Sequence, residues 1–241
     1  MNSGNDSSSN SRASSQTHDH RWRVTDVFLV LVSYSFFLLV FLIIEARWLG
    51  AVDVVENRPW IHLFEELVDA AILSLLPILI VVKRYRVPLE EIGFSTSNIA
   101  KNICIGFATG VALWLVMSGI DLGITKLVGP STSHPYLEML DKAVSPSSRI
   151  AVLLSIVVLA PISEEIFFRG FVFTIFKRNY GRVAALIASA TLFSIVHFDL
   201  LSFVQIFVAG FGLAILFDWT RSLVSPMLAH VTLNVFSVYF R

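Results

Sequence analysis

Three groups of polar side chains interrupt the apolar last third of this 241-residue chain: Glu164 and Glu165 with Arg169, Phe193 with His197, and His230 with Asn234. A carboxylate can take a proton from water, an imidazole can relay protons or ligate a metal, and an amide can donate to a developing oxyanion. Together they form the inventory of a hydrolytic site. Each group lies among residues that read as hydrocarbon-facing helix, where an ionisable side chain is expensive and points by default to function.

The spacing divides the labour. Glu165 and Arg169 are four apart, so they share a helical face and are expected to pair, offsetting the desolvation of both. Glu164 is turned about 100° from that face. With no local cation it is free to act as the base. The segment Pro161-Ile162-Ser163-Glu164-Glu165 also has the form of a capped helix start. Residues 150–162 are apolar apart from Ser155, however, and Ile166-Phe167-Phe168 follows directly. The reading is therefore a continuous membrane helix, in which Pro161 could kink the backbone and free a carbonyl.

A depth argument connects the groups. Glu164 lies 13 residues before Lys177 and His197 lies 15 residues after Arg182. At 1.5 Å per residue, both stand about 20 Å from the turn of one helical hairpin. His230 and Asn234, four apart, share a face on the last helix. Asn234 could orient His230 or donate to an oxyanion. Taken singly, His197 could be an interfacial residue beside Asp199, and His230 a packed, hydrogen-bonded one. The spacing is not the His-Glu-x-x-His of zinc peptidases. Glu164, His197 and His230 are still an admissible ligand set, so zinc is carried as a possible cofactor.

Positioning these groups requires membrane helices. The chain is 55% hydrophobic and 15% charged, with a mean hydropathy of +0.73, whereas soluble domains carry about 25% charged residues. Zero formal net charge gives no reason to expect a nucleic-acid partner. Strand alternation is absent, so the expected fold is all-α, a polytopic transmembrane helical bundle. Seven spans are expected: 27–44, 67–82, 103–120, 150–176, 183–197, 200–217 and 223–240. Eight is the alternative, with one re-entrant or split segment. Residues 1–22 read as a disordered polar tail, in which His18 and His20 are solvated rather than metal-binding. Residues 23–241 read as one integral-membrane domain, with the motif region at 145–241 and one long loop at 121–148 holding His134. Cys104 is expected to be a small buried hydrophobe. Gly106-x-x-x-Gly110 would permit close helix packing but is common by chance. Arg21, Arg23, Lys83, Arg84, Arg86, Lys177, Arg178 and Arg182 fall on one side, which the positive-inside rule makes cytoplasmic together with the N-terminus. Opposing loops also carry cations, among them Arg47, Arg58, Lys126 and Lys142.

Glu164-Glu165-Ile-Phe-Phe-Arg169-Gly170, Phe193-Ser-Ile-Val-His197 and His230-Val-Thr-Leu-Asn234 resemble, in order and type, the three motifs of the CPBP (Abi) family. That family comprises intramembrane CAAX prenyl endopeptidases and bacteriocin-processing or immunity proteins. The resemblance spans roughly residues 145–241. It implies a multi-pass membrane protease acting on a membrane-associated peptide or lipidated protein, in the cell membrane if the source is bacterial. Glu164 would be the water-activating carboxylate, with His197, His230 and Asn234 around the oxyanion. Glu165, Arg169 and Phe193 would support them. The family has been described as both metalloprotease and glutamic protease. Its eukaryotic CAAX-type members are similar but have an eighth helix, whereas this sequence stops at Arg241, which bears on prenyl-protein processing more than on hydrolysis. The competing expectation is a non-catalytic immunity or assembly protein of the same fold. A proton-coupled transporter is a third, although the repeated halves and broken helices common in transporters are not seen.

Overall fold

The computed structural model describes residues 22–49, 59–129, 135–197 and 202–240. Residues 1–21 of the expected N-terminal tail, His134 and Asp199 lie outside them, while Trp22, the last residue of that expected tail, is buried and stacked on Tyr85. All regular structure among the described residues is helical, with no strand among them. Helix α1 spans Val24–Ile44, α2 Pro59–Leu79, α3 Ile99–Val128, α4 Pro135–Lys142, α5 Pro146–Leu154, α6 Ala160–Glu165, α7 Thr174–Ile195, α8 Phe203–Thr220 and α9 Val224–Tyr239. Two π-helical stretches, Ser155–Leu159 and Ile166–Phe173, join α5, α6 and α7 into one run. The wider π turn, rather than a sharp kink at Pro161, absorbs the irregularity on either side of the glutamates.

Four helical stretches are long and apolar enough to cross a membrane: Val24–Arg47, Ile99–Leu127, Pro146–Ile195 and Phe203–Thr220. The third is 50 residues long, about 75 Å at 1.5 Å per residue, more than twice a hydrocarbon core of about 30 Å. It is interrupted at Gly181, whose φ of 84° and ψ of 177° reverse the chain, so it supplies two crossings. Helix α2 carries Glu65, Glu66 and Asp69, and α9 has only 16 residues, so neither stands out by hydropathy. With the third stretch counted as two, the described residues hold seven long helical segments, the number expected, of which α2 and α9 are not among the candidate spans. Phe28, Val32, Phe36, Leu39 and Leu42 stand exposed along α1, as a lipid-facing surface requires.

The hairpin closed at Gly181 is the centre of the fold. Phe167, Phe168, Phe171, Val172 and Ile175 are completely buried or nearly so, and pack with Phe193, Val27, Val30 and Val81. Ser189 Oγ donates to the Phe168 carbonyl at 3.0 Å, and the Phe168 and Phe193 rings meet edge to face. Helix α3 packs closely on α9, and the reason is Gly106 and Gly110. A Cβ at Gly106 would fall 2.6 Å from the Ser225 carbonyl oxygen, and one at Gly110 would fall 2.5 Å from that of Ala229. The small-residue spacing given little weight in the sequence is thus what seats the helix carrying His230.

The expected basic cluster forms at one end of the bundle. Arg84 Nη1 donates to Asp26 at 2.8 Å, Arg178 pairs with Glu91 and lies over the Trp22 ring, and Lys177, Arg182 and Arg221 converge on Asp218. Two expectations need correction. The segment 121–148 is not one long loop: α3 continues through Gly123 to Val128, and α4 and the start of α5 lie within the remainder. Gly123 falls on a helix surface where an added Cβ meets nothing within 4 Å, and the helix ends only at Gly129, whose φ is +95°. Cys104 is exposed on the outer surface of α3 rather than buried.

Candidate active site

Glu165 and Arg169 are both fully buried, and Arg169 Nη1 donates to Glu165 Oε1 at 2.7 Å. The second guanidinium arm, Nη2, donates to the Gly210 carbonyl at 2.9 Å. The guanidinium carbon stands 4.6 Å from the centre of the Phe193 ring. This is the ion pair expected from the spacing, and it fastens the first motif to the second and to α8. Glu165 also accepts from His230: Nδ1 lies 3.0 Å from the same Oε1. One buried carboxylate therefore holds a cation on its own helix and an imidazole on α9.

Glu164 is placed differently. Its side chain is 19% exposed, and its Oε2 lies 3.9 Å from His230 Nε2. It lines a cavity of about 150 Å³ together with Leu31, Tyr34, Leu73, Phe168, Val196 and His197. The antiparallel register that sets Phe168 against Phe193 carries Glu164 to the level of His197, so the two share this cavity as the depth argument anticipated. A space of that size holds a few water molecules.

The hydrogen bonds fix the tautomers. His197 Nδ1 is 2.6 Å from the Phe193 carbonyl oxygen, which can only accept, so Nδ1 carries the proton. His230 Nδ1 faces the oxygen that already takes Arg169, and it too is the donor. In the neutral state each histidine therefore offers Nε2 as a lone pair. Asn234 sits one turn beyond His230, and its Nδ2 donates to the Ile156 carbonyl at 2.9 Å. That bond satisfies a carbonyl of the π stretch and ties α9 to the helix carrying Glu164. It also commits one amide proton of a residue expected to orient His230 or serve an oxyanion.

The set a zinc ion would need does not converge. Among the described residues no three His, Cys, Asp or Glu side chains are grouped so as to hold a metal. The Phe193 ring centre lies 4.7 Å from that of His197 and 5.7 Å from that of His230.

Some residues around the site were not assigned a role from the sequence. Tyr34 lines the cavity from α1. On α2, Glu66 lies within electrostatic reach of Asp69, Glu164 and Glu65, and Leu73, one turn beyond Asp69, reaches the cavity wall. The signal available for α2 was the i, i+3 and i+4 recurrence of acids at the start of an otherwise apolar span. For Tyr34 there was none.

Residues 146–236 match the family described as Type II CAAX prenyl endopeptidase Rce1-like, a stretch that contains all three motifs. The resemblance read from those motifs is borne out. A protein of Escherichia coli described as an uncharacterized 24.3 kDa protein is 27% identical over 175 residues, covering 70% of this chain and 76% of its own length. The "Putative membrane peptidase YdiL" of Bacillus subtilis (strain 168) is 35% identical over 91 residues, 36% of this chain and 37% of that protein. No solved structure matches this chain significantly.

Proposed function

We propose, from the match to type II CAAX prenyl endopeptidases, that this integral-membrane protein hydrolyses a peptide bond of a membrane-associated peptide or protein, with Glu164 as the water-activating base. The observation that carries the reading is the split between the two glutamates. Glu165 is occupied by Arg169 and His230, while Glu164 faces a small cavity shared with His197. A partly exposed carboxylate that opens on a space for water is suited to general-base work.

Glu164 takes a proton from water as the oxygen adds to the scissile carbonyl, whose π electrons move to its oxygen. The Nε2 lone pair of His197, on the same cavity, holds the water by accepting its second hydrogen, and His230 Nε2 flanks the base at 3.9 Å from Glu164 Oε2. Collapse of the tetrahedral intermediate breaks the C–N bond. The proton held by Glu164 passes to the nitrogen, giving a carboxylic acid and an amine. Asn234 and the Glu165–Arg169 pair fix the helices that present these groups. Because Glu164, His197 and His230 do not gather into a ligand group, no step is assigned to a metal. The N-terminus and the basic end of the bundle are assigned to the cytoplasm.

The test is Glu164→Gln in the full chain, reconstituted in lipid and offered a farnesylated CAAX-type peptide. Cleavage should fall by at least about 100-fold, within the range for loss of a general base, while melting in detergent stays close to wild type. Full activity in this variant would remove Glu164 from the chemistry.

A further inference from the structure

The tautomers leave the cavity short of donors. An oxyanion needs hydrogen-bond donors poised before the charge develops. Neutral His197 and His230 direct lone pairs, not protons, into the site, because each Nδ1–H is committed elsewhere. Of the side chains that line the cavity, Leu31, Leu73, Phe168 and Val196 carry no donor, and Glu164 is the base. Tyr34 remains. Its phenol makes no hydrogen bond among the described residues, and it lies within electrostatic reach of Asp69, Glu164 and Glu66. Tyrosine on an apolar helix ordinarily finds a partner for its hydroxyl. Here the structure offers it a cavity.

We infer that Tyr34 is a catalytic residue whose hydroxyl donates to the oxyanion formed when water adds to the scissile carbonyl. This rests on the hydrolytic reading above and extends it to α1, outside residues 146–236 that carry the family match. Tyr34 adds a neutral donor to the cavity that it lines together with the base. A phenol is protonated at neutral pH and therefore able to donate. Removing one oxyanion donor lowers kcat by about 100- to 1000-fold where the site is otherwise intact.

The experiment compares wild type, Tyr34→Phe and Glu164→Gln as full chains in lipid, with the farnesylated CAAX-type peptide as substrate. Binding of a phosphonate analogue of its tetrahedral intermediate is measured alongside. Tyr34→Phe should reduce kcat at least 30-fold with KM changed less than threefold. It should weaken the phosphonate by a similar factor to kcat, yet leave affinity for the uncleaved peptide, measured on the Glu164→Gln background, unchanged. A merely structural role would move melting and KM together instead. Wild-type kcat and phosphonate affinity in Tyr34→Phe overturn the assignment while leaving the hydrolytic reading intact. So does an altered pH profile with unaltered phosphonate affinity, because the phenol would then act only through Glu164. A wild-type chain that neither cleaves the peptide nor binds the phosphonate sinks both.

Discussion

At the scale of single residues, two adjacent glutamates have opposite surroundings. Glu165 has no exposed surface and two partners; Glu164 keeps 19% exposure and faces His197 across open space. Replacing Arg169 with Met would leave the Glu165 carboxylate buried without its cation, and breaking a buried pair in this way costs about 3–5 kcal/mol. The expected outcome is a clearly lowered melting temperature in detergent, with cleavage lost through unfolding rather than through chemistry. Glu164→Gln should show the reverse pattern, and only that contrast separates the two roles. The spread of Glu164, His197 and His230 makes a further prediction. Cleavage should survive exhaustive dialysis against a chelator. Activity lost on dialysis and restored by zinc would require a different arrangement of these side chains.

At the scale of elements, the site depends on close packing between helices. Gly110→Val would drive a side chain into the Ala229 carbonyl and Thr232 Cβ, which an added Cβ would already approach to 2.5 and 2.6 Å. Overpacking of this kind costs about 1–3 kcal/mol. It would also shift His230, which lies next to Ala229 on the same helix. Lower melting together with lower kcat at permissive temperature is the expected result. Gly119→Ala, on the same helix but with nothing within 4 Å, should be neutral or slightly stabilising. What was legible in the sequence follows the same division. The Glu165–Arg169 pair is local, set by one helical turn, and could be read directly. The level of Glu164 with His197 could be read because both are counted from one tight connector. Tyr34, the α2 acids and the Asn234–Ile156 bond depend on how α1, α2 and α9 rotate against the hairpin. Helices that are apolar on every side, as α1 nearly is, carry no pattern that states which face turns inward. The helical content of 121–148 was hidden by Gly123, on a helix surface where nothing packs, and by Pro135 and Pro146, each the first residue of its helix.

At the scale of the whole molecule, charge is gathered at one end and chemistry is held at a distance from it. Arg84 with Asp26, Arg178 with Glu91, and three cations on Asp218 tie α1, α2, α7 and α8 together where the hairpin turns. With Cys104 replaced by Ser, single cysteines at Ser97 and Tyr180 should both react with a membrane-impermeant maleimide from the cytoplasmic side of oriented vesicles. Labelling of either position from the opposite side would reverse the proposed orientation. Asp218→Asn should weaken the anchored end and lower melting. It should leave KM near wild type, because Glu164 lies about 20 Å along its helix from the turn.

The Phe193 ring touches Arg169, His197 and His230 at once. One ring thus bears on a residue of each of the three motifs, so a change of its shape would reach the buried ion pair and both imidazoles together.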